Sequence, residues 1–528
     1  MPDYRPLSAA SKRAASNGGP ASEDDGEHGS GPHSPASPTP RQPSPARSYG
    51  TYRSVGSDLE SDDEEVDVDV EEDAPHPTGS LASSVINISN TILGSGMLAM
   101  PSALESIGLG FGIILIGLSG SAAAFGLLLL TEVAAKVGRT SSFNACSKIT
   151  YPSAAVWFDV AIAVKCFGVS VSYLVICGDL LPKVVAGFAP GIPADSMLRT
   201  KTLWVFMSLA IVSPLCFLRR LDSLRYTSAF ALTAVVYLVF IVVSYFFAGQ
   251  MEGMPPRPSW DEIRWFQLDG SFFEHLPIFV FGFTCHQNIF SVYNELVDNT
   301  PARVKGVVLT SVGTAFSVYE IVAVLGYLTF GTAVTSNIIA QYPASPLITG
   351  GQLAIAFLVL LSYPLQCHPA RASIDKIITS IAPKATATLV HGTEEAVDER
   401  QPVVRRIPGG ISTRRWMAIT LTLMTASLLL AVVMNDLGKV LAFVGATGST
   451  TICYILPGLF YYKHSKVEEQ KRSLLALDRP GPSKWNFKRL GAIALTTFGV
   501  FVMATSLGSL AFGSHINIGH STSMDGRV

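Results

Sequence analysis

The feature that most constrains this chain is a series of long segments without Asp, Glu, Lys or Arg. They occupy residues 74–104, 106–131, 202–218, 226–251, 275–294, 321–370, 416–435, 440–462 and 490–524. A helix needs about 20 apolar residues to cross the hydrocarbon of a bilayer. The pattern therefore predicts a polytopic membrane protein.

The composition supports the same conclusion. Only 15% of the 528 residues are charged and 48% are hydrophobic, whereas soluble domains carry about 25% charged residues. Such a chain cannot cover an ordinary soluble surface, which excludes a soluble enzyme, a secreted disulfide scaffold and a nucleic-acid binder. The seven cysteines form no CxxC pair, so we interpret them as small buried apolar residues rather than metal ligands. No cofactor is predicted, and no GxxxxGK[ST] loop supports ATP-driven pumping.

Eleven transmembrane helices are predicted, which makes the fold all-α. The segment 321–370 is too long for one span and is divided at its central prolines, and a segment with few charges near 155–181 is added. The helices lie at about 83–104, 109–134, 155–181, 202–218, 225–249, 273–295, 305–331, 346–368, 415–434, 438–462 and 487–512. Helices rather than strands are expected because the backbone must satisfy its own hydrogen bonds in lipid.

The distribution of Lys and Arg predicts the orientation. With a cytosolic N-terminus, the cytosolic loops carry 24 of these residues and the opposite loops carry 7. The positive-inside rule therefore predicts an N-terminus in the cytosol and, with an odd number of helices, a C-terminus outside or luminal.

The ends of the chain differ from its centre. Residues 1–80 hold 11 of the 32 prolines, and 11 of the 16 residues from Asp58 to Asp73 are acidic. This composition predicts a disordered acidic cytosolic tail. The remaining predicted regions are a transmembrane domain over 81–512, a cytosolic loop within it at 385–410 and a short luminal tail at 513–528.

Two of the predicted helices contain sequences that interrupt a helix. The first holds Gly94, Ser95 and Gly96, followed five residues later by Pro101, which is unfavourable for a continuous helix. The sixth holds a polar run within residues 281–288, which is costly at the middle of a membrane. An interrupted helix exposes amides that attract a carboxylate, although small residues also allow helices to pack closely.

The spacing of the two interruptions favours a binding site over simple packing. Paired interrupted helices in corresponding places are typical of transporters built on inverted repeats. Here the first and sixth helices would each begin a five-helix half. The prediction is a 5+5 inverted-repeat (LeuT-like) core with the eleventh helix appended.

Four stretches of the sequence resemble one family. Residues 87–101 read NISNTILGSGMLAMP and resemble the opening helix of the amino acid/auxin permease family. Residues 283–296 read FTCHQNIFSVYNEL and resemble the sixth helix of its sodium-coupled neutral amino acid and fungal vacuolar transporter branch. The segments 165–179 and 362–371 favour the fungal vacuolar group. The resemblance covers about residues 80–512.

This resemblance implies the broken-helix fold of the amino acid–polyamine–organocation superfamily and transport by alternating access. The implied cargo is an α-amino acid held between the first and sixth helices, through backbone amides at one interruption and backbone carbonyls at the other. The implied positions are Gly94, Ser95 and Gly96 for the carboxylate, and Phe281, Gly282 and Thr284 for the ammonium.

Four residues are candidates for coupling transport to an ion. In sodium-coupled relatives, residues at the positions of Asn90 and Ser362 help to hold the cation. The resemblance therefore implies a possible sodium site at these two residues, and no other metal ion is predicted. Lys165 lies ten residues into the third helix, where an ammonium is costly unless it is paired or deprotonated. It would replace a bound cation and give proton coupling, or it would have a structural role, pairing with Asp159 or Asp179 or extending its amine to the membrane surface.

His286 is the fourth candidate, because an imidazole titrates between cytosolic and vacuolar pH. The alternative is a neutral histidine that hydrogen-bonds the freed carbonyls of its own interrupted helix.

The leading hypothesis is a secondary active amino acid transporter, proton-coupled and in the vacuolar membrane, which moves amino acids into the cytosol. One alternative is a sodium-coupled neutral amino acid transporter at the plasma membrane. Another is an amino acid sensor that signals through residues 1–80. The expected partners are an amino acid, a proton or sodium ion and the lipid bilayer, without nucleic acid. The side chain of the substrate stays open.

Overall fold

The structure is a computed structural model in which the chain is described over most of the predicted transmembrane domain. The described residues are 77–218, 227–249, 252–268, 272–381, 412–474 and 487–520. The predicted loop at 385–410 and all but the last few residues of the predicted tail at 1–80 lie outside them.

The described chain is mainly helical, and its longest described stretch without a helix is 252–268, between α7 and α8. From residue 77 to residue 249 it forms α1 (Leu81–Ile92), α2 (Gly96–Ile107), α3 (Leu109–Val137), α4 (Phe143–Thr150), α5 (Ala155–Phe188), α6 (Lys201–Cys216) and α7 (Thr227–Ala248). The remainder forms α8 (Phe272–Gly282), α9 (His286–Glu295), α10 (Pro301–Phe330), α11 (Ile338–Gln341), α12 (Pro346–Ile381), α13 (Thr413–Val433), α14 (Leu437–Val444), α15 (Leu456–Leu474) and α16 (Phe487–His520).

Local sequence explains several helix boundaries. The Ser80 side chain caps α1 by accepting from Ser83 N at 3.1 Å, the role in which serine is favoured. Pro301 occupies the first turn of α10, where its missing N–H costs nothing. Gly108 separates α2 from α3 with a φ of 95°, and a methyl group there would lie 2.6 Å from Phe266 N. Glycine is therefore required at that turn.

Each of the predicted ranges coincides with a helix or a pair of helices in the described residues, but several ends differ. The range 346–368 continues to Ile381, and 487–512 continues to His520. The helix α16 thus runs past residue 512, where the predicted transmembrane domain ends. The luminal tail at 513–528 stays a prediction, and residues 521–528 lie outside the described chain. The ends differ because a charge-free segment shows only which residues can lie in the hydrocarbon of the bilayer. The helix itself continues as long as its backbone hydrogen bonds do.

Among the described residues, eight helical segments are long and apolar enough to cross a membrane by length and composition. They are Leu109–Val137, Pro152–Phe188, Phe230–Ala248, Pro301–Ala333, Pro346–Ile381, Thr413–Val433, Leu437–Lys471 and Phe487–Ala511. The other predicted spans correspond to the short helix α6 and to the two interrupted pairs, α1 with α2 and α8 with α9. A total of eleven spans and the 5+5 repeat stay predictions.

The helices pack around α5 and α12, which contact each other along much of their lengths. The helix α10 packs against α1, α2 and α3, while α8 packs against α2, α14 and α16. Large apolar side chains cover the exterior, with Leu118, Val236 and Leu429 exposed to 59%, 67% and 62%. An exterior of this kind suits contact with lipid rather than water.

The chain between α14 and α15 departs from the regular helix predicted over 438–462. Gly445–Ser449 and Thr451–Ile455 form two π-helical turns, in which hydrogen bonds span five residues instead of four. The Thr450 hydroxyl between them donates to Gly445 O at 2.7 Å. Residues 445–455 are called the π segment below.

Candidate functional site

The first interruption separates α1 from α2 at residues 93–95. Gly94 N donates to Ile92 O at 2.8 Å, and the long bonds from Met97 N to Gly94 O (3.4 Å) and from Leu98 N to Ser95 O (3.3 Å) begin the next helix. The first amides of a helix have no partner within it, so this turn presents N–H groups near the start of α2. The predicted interruption at Gly94, Ser95 and Gly96 is therefore present.

The second interruption separates α8 from α9 at residues 283–285. Thr284 N donates to Phe281 O at 3.0 Å, and Asn288 N donates to Cys285 O at 2.9 Å. The Thr284 hydroxyl donates back to Val280 O at 3.0 Å. The Val280 and Phe281 carbonyls near the end of α8 thus accept from Thr284, and each has a second lone pair with which to accept another donor.

The two interruptions contact each other directly. The buried Tyr319 hydroxyl of α10 lies 2.6 Å from Ile92 O and 2.7 Å from Gly282 O, so its one hydrogen is shared between the two broken helices. A methyl group on Gly96 would lie 3.0 Å from Gly282 Cα, which shows how closely the two backbones approach. Tyrosine here joins the ends of α1 and α8.

A small cavity lies between the interruptions and the wall formed by α5 and α12. Its lining residues are Thr91, Ile92, Gly94, Ser95, Gly96, Lys165, Val169, Tyr173, Phe281, Thr284 and Gln366. The structure therefore brings together five of the six predicted substrate residues. The sixth, Gly282, does not line the cavity but lies beside it, with its carbonyl bonded to Tyr319.

Hydrogen bonds between helices fix the walls of this cavity. Asn288 Nδ2 of α9 donates to Thr91 Oγ1 of α1 at 2.7 Å. Ser172 Oγ of α5 lies 3.2 Å from Ser95 Oγ. These contacts connect both interrupted pairs and α5 into one polar framework inside an otherwise apolar core.

Lys165 is the one charged residue among those lining the cavity. Its side chain is buried, and Nζ donates to Gln366 Oε1 of α12 at 3.3 Å. The predicted structural partners were wrong, because Asp159 pairs with Lys376 at 3.9 Å and Asp179 pairs with Lys201 at 3.2 Å. Among the described residues, Lys165 thus faces a neutral amide and not a carboxylate.

His286 begins α9 but does not line the cavity. Its ring is fully buried, and a methyl group on Gly126 of α3 would lie 3.0 Å from Nε2. The Ala123 carbonyl of α3 lies beside the ring, yet neither nitrogen makes a hydrogen bond of normal geometry with any described residue. The predicted alternative, in which His286 hydrogen-bonds the freed carbonyls of its own interrupted helix, was therefore wrong.

The two sodium candidates also lie away from the cavity lining. Asn90 is on α1 and Ser362 is on α12, where the Ser362 hydroxyl donates to Leu358 O of its own helix at 2.8 Å. That oxygen still has lone pairs for a cation. Across the described ranges, no group of three or more His, Cys, Asp or Glu side chains is placed to hold a metal ion.

Sequence reasoning missed several residues of the site. Tyr173 and Gln366 fall within the stretches that carried the family resemblance, so a signal for them existed although they were given no role. Tyr319 had no local signal, because a lone tyrosine in an apolar helix is ordinary. Its position opposite both interruptions depends on the packing of α10.

The family model described as transmembrane amino acid transporter protein matches residues 77–514 of the chain. The chain belongs to this family. The resemblance drawn from the motifs is thereby confirmed, and so is the prediction that the protein is a transporter and not an enzyme.

Relatives within the transmembrane amino acid transporter family cover most of the chain. Vacuolar amino acid transporter 5 of Schizosaccharomyces pombe is 41% identical over 431 residues, which is 80% of this chain and 93% of the relative. Vacuolar amino acid transporter 5 of Saccharomyces cerevisiae is 36% identical over 82% of this chain and 98% of its own length. The sodium-coupled neutral amino acid symporter 2 of Danio rerio is 24% identical over 81% of this chain and 82% of the relative.

A solved structure shows the same fold at low sequence identity. The nucleobase-cation-symport-1 family transporter Mhp1, in a closed conformation with bromovinylhydantoin bound, aligns with a TM-score of 0.51 and 13% identity. The alignment covers 82% of this chain and 91% of that chain. This likeness shows that the two chains share a fold, and it gives no information about the substrate of the protein.

Proposed function

We propose that this protein is a secondary active transporter that moves amino acids across the vacuolar membrane by alternating access, driven by protons. The observation that carries the proposal is the cavity between two interrupted helices with the buried Lys165 in its wall. The cavity offers the groups that an α-amino acid needs, and Lys165 offers a titratable amine beside them.

The backbone chemistry at the interruptions suits both ends of an amino acid. Gly94, Ser95 and Gly96, at the start of α2, line the cavity, and the first amides of that helix would attract a carboxylate. Phe281, at the end of α8, lines the cavity, and its carbonyl would accept one of the three N–H donors of an α-ammonium. Gly282 lies beside the cavity, where its carbonyl already accepts from Tyr319. Substrate bound in this way touches both halves of the interrupted pairs, so its release requires them to separate.

Lys165 supplies the proton step. On the acidic side of the membrane its amine takes up a proton, and after the site opens to the cytosol the ammonium releases that proton. Gln366 accepts a hydrogen bond from the ammonium at 3.3 Å without holding it as tightly as a carboxylate would. The charge on Lys165 thus follows the side to which the site is open, and net movement is directed from the acidic lumen to the cytosol.

The vacuolar membrane is proposed from the names of the relatives that are 41% and 36% identical to this chain. The proposed orientation has a cytosolic N-terminus and a luminal C-terminus, because Lys and Arg concentrate in the loops that would then face the cytosol. In this orientation the substrate site lies between an acidic compartment and the neutral cytosol.

Sodium coupling is the second candidate, in a transporter of neutral amino acids at the plasma membrane. Asn90 on α1 and Ser362 on α12 provide oxygen donors, and the relative from Danio rerio is named a sodium-coupled symporter. In that case Lys165 would be structural, and the cation would bind outside the cavity lining.

Efflux of labelled amino acid from preloaded membrane vesicles separates these two candidates. Vesicles from cells that express the protein are loaded with labelled amino acid, and external sodium is replaced by choline. The proton hypothesis expects transport that is unchanged by choline and abolished by a protonophore, in vesicles that co-purify with vacuolar markers. Transport that stops in choline and enriches with plasma-membrane markers would contradict it.

A further inference from the structure

The π segment, residues 445–455, is the third irregular backbone element beside the site. Most of its residues are buried, including Gly445, Ala446, Gly448, Ser449, Thr450, Ile452, Cys453, Tyr454 and Ile455. Short π-helical turns within longer helices occur frequently at functional sites. None of its residues lines the cavity, so any role must be exerted through neighbours.

One of those neighbours is Lys165. A methyl group built on Gly448 would lie 2.6 Å from Lys165 Cβ, 2.8 Å from Lys165 N and 2.8 Å from Ala161 O. The backbone of α5 therefore lies against the π segment at the turn that carries the cavity amine. Only glycine permits this approach, since two of the three close atoms belong to the backbone and cannot move aside cheaply.

The π segment also contacts the second interruption. A methyl group on Gly445 would lie 2.7 Å from the carbonyl carbon of Pro277 in α8. Cys453 Sγ lies 3.3 Å from Thr284 Oγ1, which itself lines the cavity. One buried element thus touches α5 at Lys165, α8 at Pro277 and the second interruption at Thr284.

We propose that the π segment sets the position of the Lys165 amine relative to the interrupted helices, with Gly448 as the positioning residue. The proposal deepens the proposed function and rests on it, since the amine matters for transport only if Lys165 carries the coupled proton. Widening of the helix at Gly445–Ser449 brings Gly448 against α5, and the Thr450–Gly445 bond of 2.7 Å stabilises that geometry.

Several titratable groups surround the amine from the elements packed on it. They are Cys166 and Tyr173 on α5, Cys285 and His286 at the second interruption, and Cys453 on the π segment. No carboxylate is among these groups, so none of them forms an ion pair that would hold Lys165 in its charged form. In the proposed mechanism, the charge of Lys165 changes with the side to which the cavity opens.

Two variants test the proposal, one by adding volume at the contact with α5 and the other by removing a hydrogen bond. Gly448→Ala adds a methyl group at the contact with Lys165, and Thr450→Val removes the hydroxyl bond that stabilises the π turn without adding volume. The readout is the ratio of uptake with a pH gradient to uptake without one, in proteoliposomes. We expect this ratio to fall about tenfold in Gly448→Ala and about fivefold in Thr450→Val.

Two matched controls separate positioning from general damage. Gly313→Ala makes the same change on α10, where a methyl group meets nothing within 4 Å. Ser449→Ala changes the π segment itself at a hydroxyl that has no partner among the described residues. Both controls are expected to keep the wild-type ratio within about twofold.

A double-mutant cycle with Lys165→Ala shows whether Gly448 acts through the amine. The proposal expects Gly448→Ala to change the pH profile of the wild-type protein but not that of Lys165→Ala. A wild-type pH profile in folded Gly448→Ala and Thr450→Val, or an equal change in the Lys165→Ala background, would overturn it.

A third readout is independent of the coupling ion. Lys165→Cys is labelled with a thiol reagent that enters from the cavity, and labelling at position 165 is followed by peptide mass spectrometry. Adding Gly448→Ala should change the labelling rate about tenfold, whereas adding Gly313→Ala should not. If the wild type shows no proton-driven uptake but labelling still responds, the proposed function fails and the positioning stands. If labelling does not respond, the positioning fails whatever drives uptake.

Discussion

Lys165 donates to the side-chain amide of Gln366 across 3.3 Å, and this bond joins α5 to α12 in the wall of the cavity. A buried ammonium is normally compensated by a carboxylate. Here the partner is neutral, and the two acidic residues of α5 pair with other lysines. Removing or adding the proton on Lys165 therefore breaks no ion pair among the described residues.

We predict that Lys165→Ala abolishes the dependence of uptake on a pH gradient while leaving folded protein. Its loss removes the proposed proton carrier and one hydrogen bond, and does not leave a buried charge unpaired. The measurement is uptake at a series of imposed pH gradients, with folding followed by size-exclusion chromatography. Lys183→Ala is the control, because Lys183 lies exposed on the same helix and donates to the Ala340 carbonyl. Unchanged proton dependence in Lys165→Ala would remove this residue from the mechanism.

The Tyr319 hydroxyl gives a second prediction. Tyr319→Phe takes away the donor shared by Ile92 O and Gly282 O, at a cost of about 1–3 kcal/mol for unsatisfied buried acceptors. We expect kcat/KM for uptake to fall about tenfold. The matched control is Tyr327→Phe on the same helix, where the hydroxyl accepts from Arg264 N at 3.2 Å, away from the cavity. Equal activity of the two variants would show that the bridge between the interruptions is not needed.

The close approach of the two interrupted helices at Gly96 and Gly282 gives a third prediction. In Gly96→Ala the added methyl group would lie 3.0 Å from Gly282 Cα and 3.4 Å from a ring carbon of Phe281. Overpacking of this kind costs about 1–3 kcal/mol, and it pushes apart the surfaces that bind substrate. Substrate affinity, measured by calorimetry on purified protein, should fall about tenfold. Gly306→Ala on α10, with nothing within 4 Å of its methyl group, should bind as wild type does.

A fourth prediction concerns the far end of α9. Arg139, after α3, donates to Asn294 O (3.0 Å), Leu296 O (2.9 Å) and Val297 O (2.9 Å). The chain just before α1 adds bonds from Gly79 N to Glu295 O and from Val297 N to Gly79 O. The alternating access proposed here requires these segments to separate when the site opens on that side.

Arg139→Gln should loosen this end, because it removes guanidinium bonds that together contribute about 1 kcal/mol at an exposed position. Hydrogen exchange of the Leu296 and Val297 amides should then be about fivefold faster. Arg303→Gln serves as the control, since Arg303 lies near the same end and pairs with Asp298 at 3.9 Å. If exchange is faster in both variants, or in neither, the contact of Arg139 with α9 does not hold this end closed.

Much of the fold could be predicted from the sequence, and the reasons are local. Charge-free segments locate helices because charge is costly in lipid, and Gly94, Ser95 and Gly96 locate an interruption because glycine and serine weaken a helix. The π segment was not predicted, although Gly445, Gly448 and Ser449 weaken a helix in the same way, because no local signal distinguishes a π-helical turn from an ordinary one.

The pairings inside the site depend on how helices rotate against one another. Asp159 and Asp179 were reasonable partners for Lys165 along the chain, yet Gln366 lies 201 residues away and reaches it only after α5 and α12 pack. The contact of Tyr319 with both interrupted helices could not be predicted either, because it also depends on helix packing. Local sequence thus predicts where the backbone breaks, and packing decides which side chains meet there.

The most direct test of the central claim is uptake by purified protein in proteoliposomes, with a pH gradient and a sodium gradient imposed separately. Labelled Glu, Gln, Pro, Tyr and Lys are the substrates. We predict that the pH gradient alone drives accumulation of at least one of them and that Lys165→Ala removes it. Accumulation driven only by sodium would contradict the account and shift attention to Asn90 and Ser362. Binding without any uptake would contradict it as well and would favour a sensor.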